Sequence, residues 1–149
     1  MEENRRFSDN NDGTVTDSRT GLTWAREDTW QKEGRWVTWD EAKEYAQTFC
    51  TNRFAGRGDW RLPTIREAQS LYDDTQRNKD KYGNEIHLDP VFPEGPQATI
   101  WCDEGSSGNE GYTLDLRAGE VGVLYKSKCP RMAGRAVSGE WSSASRNGR

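Results

Sequence analysis

The chain is poor in the residues that usually build a core. Its 149 residues include only twenty Ile, Leu, Val and Phe, about 13%. A share under roughly 20% combined with high net charge marks disordered chains. The formal net charge is only −4, however, and the aromatics are seven Trp, five Tyr and four Phe. Each large aromatic buries roughly 150–250 Å², so disorder is excluded and a loop-rich domain with an aromatic core is expected. A chain of this length makes one domain, here 1–149 with a core over about 6–138 and a tail over 139–149.

Other absences exclude whole classes. No apolar run approaches the ~18 residues of a membrane helix, so no membrane insertion is expected. Met1 to Arg6 lead straight into polar sequence, so no signal peptide is expected in this stretch. An isoelectric point near 5.1 argues against a general nucleic-acid binder. The single histidine, His87, lies in a polar stretch, and no G-x-S-x-G elbow presents a serine to it. No glycine-rich phosphate or dinucleotide loop is present. The acidic pairs Asp73–Asp74 and Asp103–Glu104 are neighbours in sequence, which says nothing about convergence in space. No enzyme activity and no cofactor are therefore expected. Three cysteines, Cys50, Cys102 and Cys129, with no C-x-x-C spacing and one histidine, cannot make a structural zinc cage, so no metal is expected there. They leave two options open: one disulfide with one thiol, or three reduced thiols. The Ser8–Arg19 stretch matches a calcium loop in part, but Arg19 falls where a bidentate acid is needed. A β-turn at Asn11–Gly13 accounts for it better, and a weak calcium site elsewhere stays open. Arg57-Gly58-Asp59 spells an adhesive tripeptide, but matches of three residues arise readily by chance.

What is present organises the chain. Asn11-Asp12-Gly13 and Arg19-Thr20-Gly21 punctuate a meander of short strands with Phe7, Val15, Leu22 and Trp24 inward. Thr38-Trp39-Asp40-Glu41 and Thr64-Ile65-Arg66-Glu67 both match the capping box. The first helix is expected from Trp39 to Phe49 or Cys50, with Trp39, Ala42, Ala46 and Phe49 on one stripe. The second runs from Ile65 to Tyr72 or Asp73, with Ala68 and Leu71 inward. Residues 73–99, with three prolines, read as a long surface loop. Thr99–Cys102 reads as a buried strand. Tyr112, Leu114 and Leu116, then Val121, Val123 and Tyr125, alternate as a hairpin with one buried face. Arg135–Ser138 is a last short strand, and the tail is polar apart from Trp141. The class is α+β with antiparallel sheets.

Charge is uneven. Residues 1–111 carry 14 Lys and Arg against 22 Asp and Glu, and residues 112–149 carry 7 against 3. The basic quarter can attract acidic ligands, or it can be a solvated face.

Four strings carry a resemblance: Gly58-Asp59-Trp60-Arg61-Leu62-Pro63-Thr64, Asp12 to Trp24 (DGTVTDSRTGLTW), Thr38 to Ala46 (TWDEAKEYA) and Leu114 to Val121 (LDLRAGEV). Together, in order and across most of 6–138, they resemble the Lcl C-terminal domain family, bacterial domains named for a collagen-like adhesin. The resemblance implies a C-type-lectin-like fold, two helices packed on small twisted antiparallel sheets, in a mostly non-enzymatic family. Its best-known member is similar to a trimeric surface adhesin that binds sulfated glycans through basic residues. The implied partners are thus an anionic glycan, or a protein on a surface or in an assembly, with a homo-oligomer (a trimer) in view. The implied location is extracellular or on a cell or particle surface. For this chain the candidate ligand residues are Arg117, Lys126, Lys128, Arg131 and Arg135.

The chain departs from the family in two places. It has Trp101-Cys102-Asp103 where members read Trp-Ser-Ser, and Ala136 where the closing strand often carries a cysteine. By analogy with lectin-like folds the resemblance implies a Cys102–Cys129 bridge with Cys50 free, and Cys50–Cys129 as runner-up. It also implies structural roles for the motif: Trp60 and Leu62 enter the core, Pro63 and Thr64 start the second helix, and Arg61 needs a carboxylate or carbonyl partner. The alternative to ligand binding is a structural or receptor-binding subunit of a larger particle, for which Trp141, expected to be exposed, would supply a surface to bury.

Overall fold

Among the described residues each of the three α-helices starts at a capping box, where a side-chain oxygen accepts the N–H three residues on and the residue there returns the bond. A computed structural model describes residues 6–141, without the side chains of 104–107. In it α1 (Thr29–Glu33) is capped by Asp28 and Gln31, α2 (Trp39–Thr51) by Thr38 and Glu41, and α3 (Ile65–Leu71) by Thr64 and Glu67. The second and third fall within about a residue of their expected ends. The first was not foreseen, because its five residues are too few to show an apolar stripe.

Two four-stranded sheets flank these helices. The first joins β1 (Phe7–Asp9), β2 (Thr14–Asp17), β3 (Thr23–Ala25) and, from the far end of the chain, β10 (Val137–Ser138). Val137 pairs with Trp24, so the closing strand completes the opening meander. The second has the order β8 (Glu120–Tyr125), β7 (Glu110–Asp115), β6 (Thr99–Ser107) and β9 (Met132–Ala133). Its one parallel pair, β6 with β9, departs from the all-antiparallel expectation, because after β8 the chain crosses back to the free edge of β6 and runs along it in the same direction. A small hairpin, β4 (Asn78–Lys79) with β5 (Glu85–Ile86), lies apart. Helices on small, mostly antiparallel sheets make the class α+β.

The aromatics do the filling. Trp24 and Trp101 are wholly buried, and Trp60 nearly so. Trp60 meets Phe49 edge-on at 5.6 Å, and Phe49 stacks on Phe54 at 4.3 Å, which closes α2 against the 59–62 segment. Leu62 joins Val37, Ala42 and Met132 around Trp101. The approach is close: a Cβ on Gly134 would sit 2.9 Å from that of Ala42. Arg61 exchanges two backbone bonds with Val137 (3.0 and 2.8 Å), which ties the central motif to β10. Asp59 accepts the Ser138 hydroxyl and the Gly139 N–H, so the acid of the adhesive-looking tripeptide is engaged within the fold.

Four expectations need correction. Residues 73–99 are not a surface loop: Ile86, Leu88 and Phe92 are buried in the largest core cluster. Their backbone is satisfied locally, as where Asp80 accepts the N–H groups of Tyr82 and Asn84, both at 2.9 Å, and the Asn78 amide donates to the Phe92 carbonyl at 2.8 Å. Val121, Val123 and Tyr125 do not face a core; they are 40, 51 and 55% exposed. Register places Val121 opposite Leu114 and Val123 opposite Tyr112, but β8 is an edge strand and the core ends beneath β7. Trp141 is half-buried against the main core, with the Arg66 guanidinium 4.1 Å above its ring. No disulfide joins the cysteines. Cys102 turns its side chain into the largest core cluster, while Cys129 sits half-buried in the turn before β9 and Cys50 donates its thiol to the Trp60 carbonyl at 2.9 Å. Neither the Cys102–Cys129 nor the Cys50–Cys129 pairing is made.

Two buried acids give the fold a pH limit. For Asp17, burial pushes the carboxyl up, but the fork of Arg6 (2.8 and 2.7 Å), the Arg19 N–H and the Thr20 hydroxyl outweigh it and hold the group below its ordinary value. Glu67 is held down in the same way, against burial, by Arg61 and Thr64. A lowered folded pKa contributes stability that is present above the unfolded value and lost as pH falls through the folded one. The melting temperature is therefore expected to drop on acidification below about pH 4, followed by circular dichroism. A melting curve unchanged at about pH 2.5 would contradict it.

Candidate ligand-binding surface

The most developed surface feature grows from the first residue of α2. The Trp39 backbone N–H donates to the Lys126 carbonyl (3.1 Å), and the Lys126 N–H to the Asn109 carbonyl (2.7 Å), which locks the helix start to the end of β8. The Trp39 indole N–H donates to the Cys102 carbonyl at 2.9 Å, so the ring is held edge-in and half-buried. Two ammonium groups lie over it, Lys126 Nζ at 3.9 Å and Lys43 Nζ at 4.7 Å from the centroid. Lys43 also reaches Asp103 at 3.4 Å.

Around this ring opens a cleft of about 590 Å³, walled by Thr38, Asp40, Asn109, Tyr125 and Lys126. A second, of about 570 Å³, shares Trp39 and Asp40 and extends along α2 past Lys43 and Gln47. The result is an open groove with aromatic walls, lysine ammonium groups and amide and carboxylate edges. That chemistry suits a ligand with apolar faces and polar rims.

The five candidate residues are not one patch. Lys126 lies in the cleft. Lys128 is exposed in the turn that follows, with its N–H on the Tyr125 carbonyl at 3.0 Å. Arg117 is clamped by Asp115 at 3.1 and 2.9 Å, which holds its guanidinium above, and the Asp115 carboxyl below, their ordinary values. Arg131, with a positive φ of 60°, places its guanidinium over the Tyr82 ring at 5.1 Å. Arg135 is the exception. It is buried, donates to the Ala25 and Arg26 carbonyls at 2.9 and 2.7 Å, and lies 4.9 Å above the Phe92 ring. Burial lowers its basicity, and the nearby Asp28 opposes that. Asp28 is itself pushed up by burial, despite the charge of Arg135 and the N–H groups of Gln31 and Gln97. Arg135 belongs to the core: it lies in the link between β9 and β10, held by the Ala25 and Arg26 carbonyls against the Phe92 ring, so the strand expected over Arg135–Ser138 is only Val137–Ser138.

The motif residues Asp59, Trp60, Arg61, Leu62, Pro63 and Thr64 all serve the fold. Trp39, Tyr125 and Lys43, which shape the cleft, were not singled out for it from sequence. The only available signal was Tyr125-Lys126 at the end of an alternating strand. Among the described residues no three His, Cys, Asp or Glu stand together as a metal site.

The fold and this groove define an α+β domain that presents an aromatic and basic surface. Residues 13–138 match the Lcl C-terminal domain, and the chain belongs to that family. No curated protein matches it.

Proposed function

We propose that this domain is a non-enzymatic recognition module of the adhesin type, displayed at a cell or particle surface. On this reading it has a C-type-lectin-like fold and holds an anionic glycan in the Trp39–Lys126 groove. The observation that carries the reading is the half-buried Trp39 ring beside exposed Tyr125, with Lys126 in the cleft and exposed Lys128 in the turn that follows. Ring faces cover the apolar C–H faces of sugars, and lysine ammonium groups meet sulfate or carboxylate as point charges. Arg117, Arg131 and Arg135 drop out of the groove's ligand set, and Lys43 enters it. A trimer, as in the family's best-known member, would raise avidity without new contacts.

A glycan array at low and high salt tests this. Binding is expected to weaken steeply with salt, and the double variant K126E/K128E to lose at least about tenfold in affinity. Tyr125→Ala, at an exposed position, should weaken binding with the melting temperature unchanged. Binding unaffected by charge reversal would sink the site.

One observation favours the alternative, a subunit of a larger assembly. The exposed edge strand β8 presents Val121, Val123 and Tyr125, and among the described residues one side of its backbone has no sheet neighbour. Mass measurement of the native assembly separates the readings, because obligate assembly leaves no free monomer or trimer.

A further inference from the structure

We propose a second ligand site, in the hollow between the 80–84 turn and the segments carrying Gln97, Arg117 and Arg131, that takes a carboxylated sugar bearing an N-acyl group. It shares no lining residue with the Trp39 groove, and nothing in the reading of that groove requires it.

Gln97 carries the proposal. It lines the hollow, is only 1% exposed, and among the described residues neither its amide nitrogen nor its amide oxygen has a hydrogen-bond partner. Buried polar groups are almost always satisfied, so an orphaned donor and acceptor in one side chain calls for a partner from outside. Gln97 has not simply strayed inward. Its backbone N–H is fixed on the Asp28 carboxylate at 2.8 Å, and Asp28 is the cap of α1. The side chain is thus positioned by a rigid element.

The charge at the rim is the second observation. Arg117 is already held by Asp115, and Asp80 already accepts two backbone N–H groups. Arg131 makes no ion pair with any described residue; its guanidinium rests on the Tyr82 ring, and its backbone has a left-handed φ of 60°, which glycine adopts at less cost than a residue carrying a Cβ. Such strain gathers at ligand clamps. The hollow therefore offers one uncommitted cation beside one uncommitted carboxamide. A carboxylate meets the first, and a secondary amide, with C=O and N–H side by side, meets the second.

Size and lining decide the rest. The hollow holds about 50 Å³, room for roughly four water-sized groups, which is the size of an acetamido substituent. Asn84 and Thr99 offer polar edges for hydroxyl groups, while the apolar lining is only the Ala98 methyl and the Tyr82 ring, which Arg131 already covers. A peptide C-terminus would find no cover for its side chain. A sugar acid finds partners throughout.

The test titrates ¹⁵N-labelled protein with N-acetylneuraminic acid, following the amide signals of Gln97, Thr99 and Arg131. Saturable shifts with a dissociation constant of about 1 mM are expected. The analogue with a hydroxyl in place of the acetamido group should bind about tenfold more weakly, as should the wild-type ligand to Gln97→Met. Arg131→Gly relieves the backbone and removes the cation, so it should fold normally and lose at least about tenfold in affinity. K126E should leave these shifts intact, which separates this site from the Trp39 groove. Absence of saturable shifts, shifts that survive Arg131→Gly, or equal binding of N-acetylglycine would each overturn the proposal.

Discussion

Replacing Arg61 by Met is expected to cost about 3–5 kcal/mol of stability at neutral pH, with much of the loss recovered on acidification. Arg61 gives Glu67 two bonds, at 2.7 and 2.9 Å, and donates to the Gly139 carbonyl at 2.6 Å. The Glu67 side chain is only 7% exposed against 32% for Arg61, so the acid is the member that cannot fall back on water. In the wild type, burial raises the Glu67 carboxyl while Arg61 and the Thr64 N–H bring it below its ordinary value. Without Arg61, burial prevails and the folded pKa rises above the unfolded one. The wild-type contribution from Glu67 is lost as pH falls, and the variant's penalty disappears over the same range. The two stabilities must therefore converge toward low pH. Urea unfolding at a series of pH values reads this directly. Arg61→Lys should recover only part, since an ammonium cannot make the fork. R61M/E67M should be more stable than R61M, because no buried charge is left behind. A loss independent of pH would show that Glu67 is not the reason.

The second large effect is expected at Trp101. Trp101→Ala should lose about 3–5 kcal/mol from cavity formation alone, against a total of about 5–15 kcal/mol for a domain. The ring is wholly buried among Val37, Ala42, Leu62 and Met132, and its indole N–H donates to the Val37 carbonyl at 3.0 Å. A Cβ at Gly111 would lie 3.2 Å from the ring, so β7 is already pressed against it. Trp101→Phe restores most of the packing and leaves the Val37 carbonyl without this donor, a loss of about 1–3 kcal/mol. Trp39 packs on the same cluster. Ligand affinity in the groove should accordingly fall in Trp101→Ala and largely persist in Trp101→Phe. Equal stability of the alanine and phenylalanine variants would rule out the cavity account.

Where structure follows from neighbours in sequence, it is legible in the residues. The Thr38 and Thr64 boxes located two helices, because a cap is a contact across three residues. The Asn/Asp-Gly and Thr-Gly turns located the opening meander, and Phe7, Val15, Leu22 and Trp24 are all buried in it. Arg61, placed in a run of core residues, had to find an acid, and Glu67 stands six residues away. The same box chemistry at Asp28 and Gln31 was open to reading but carried no stripe to draw attention to it.

The misses lie where distant segments decide. Val121, Val123 and Tyr125 keep a strand's alternation, yet whether that face is covered depends on what lies beyond β7. Ile86, Leu88 and Phe92 look like loop residues until the segment folds back over the main core. Arg135 looks like one more basic residue of the C-terminal quarter until the link before β10 lays it against the Ala25 and Arg26 carbonyls at the end of β3. Trp141 follows the same strand to a place under Arg66. The three cysteines had the right number for a bridge and, in three dimensions, the wrong neighbours.

The aromatic surplus that stands in for missing aliphatics was determined by composition: a chain this poor in Ile, Leu and Val folds only by burying its tryptophans. Which tryptophans are core and which line a groove was decided by tertiary structure. Burial is a property of what other segments bring to a side chain, and Trp39 owes its half-buried place to Lys126 and Cys102, far along the chain.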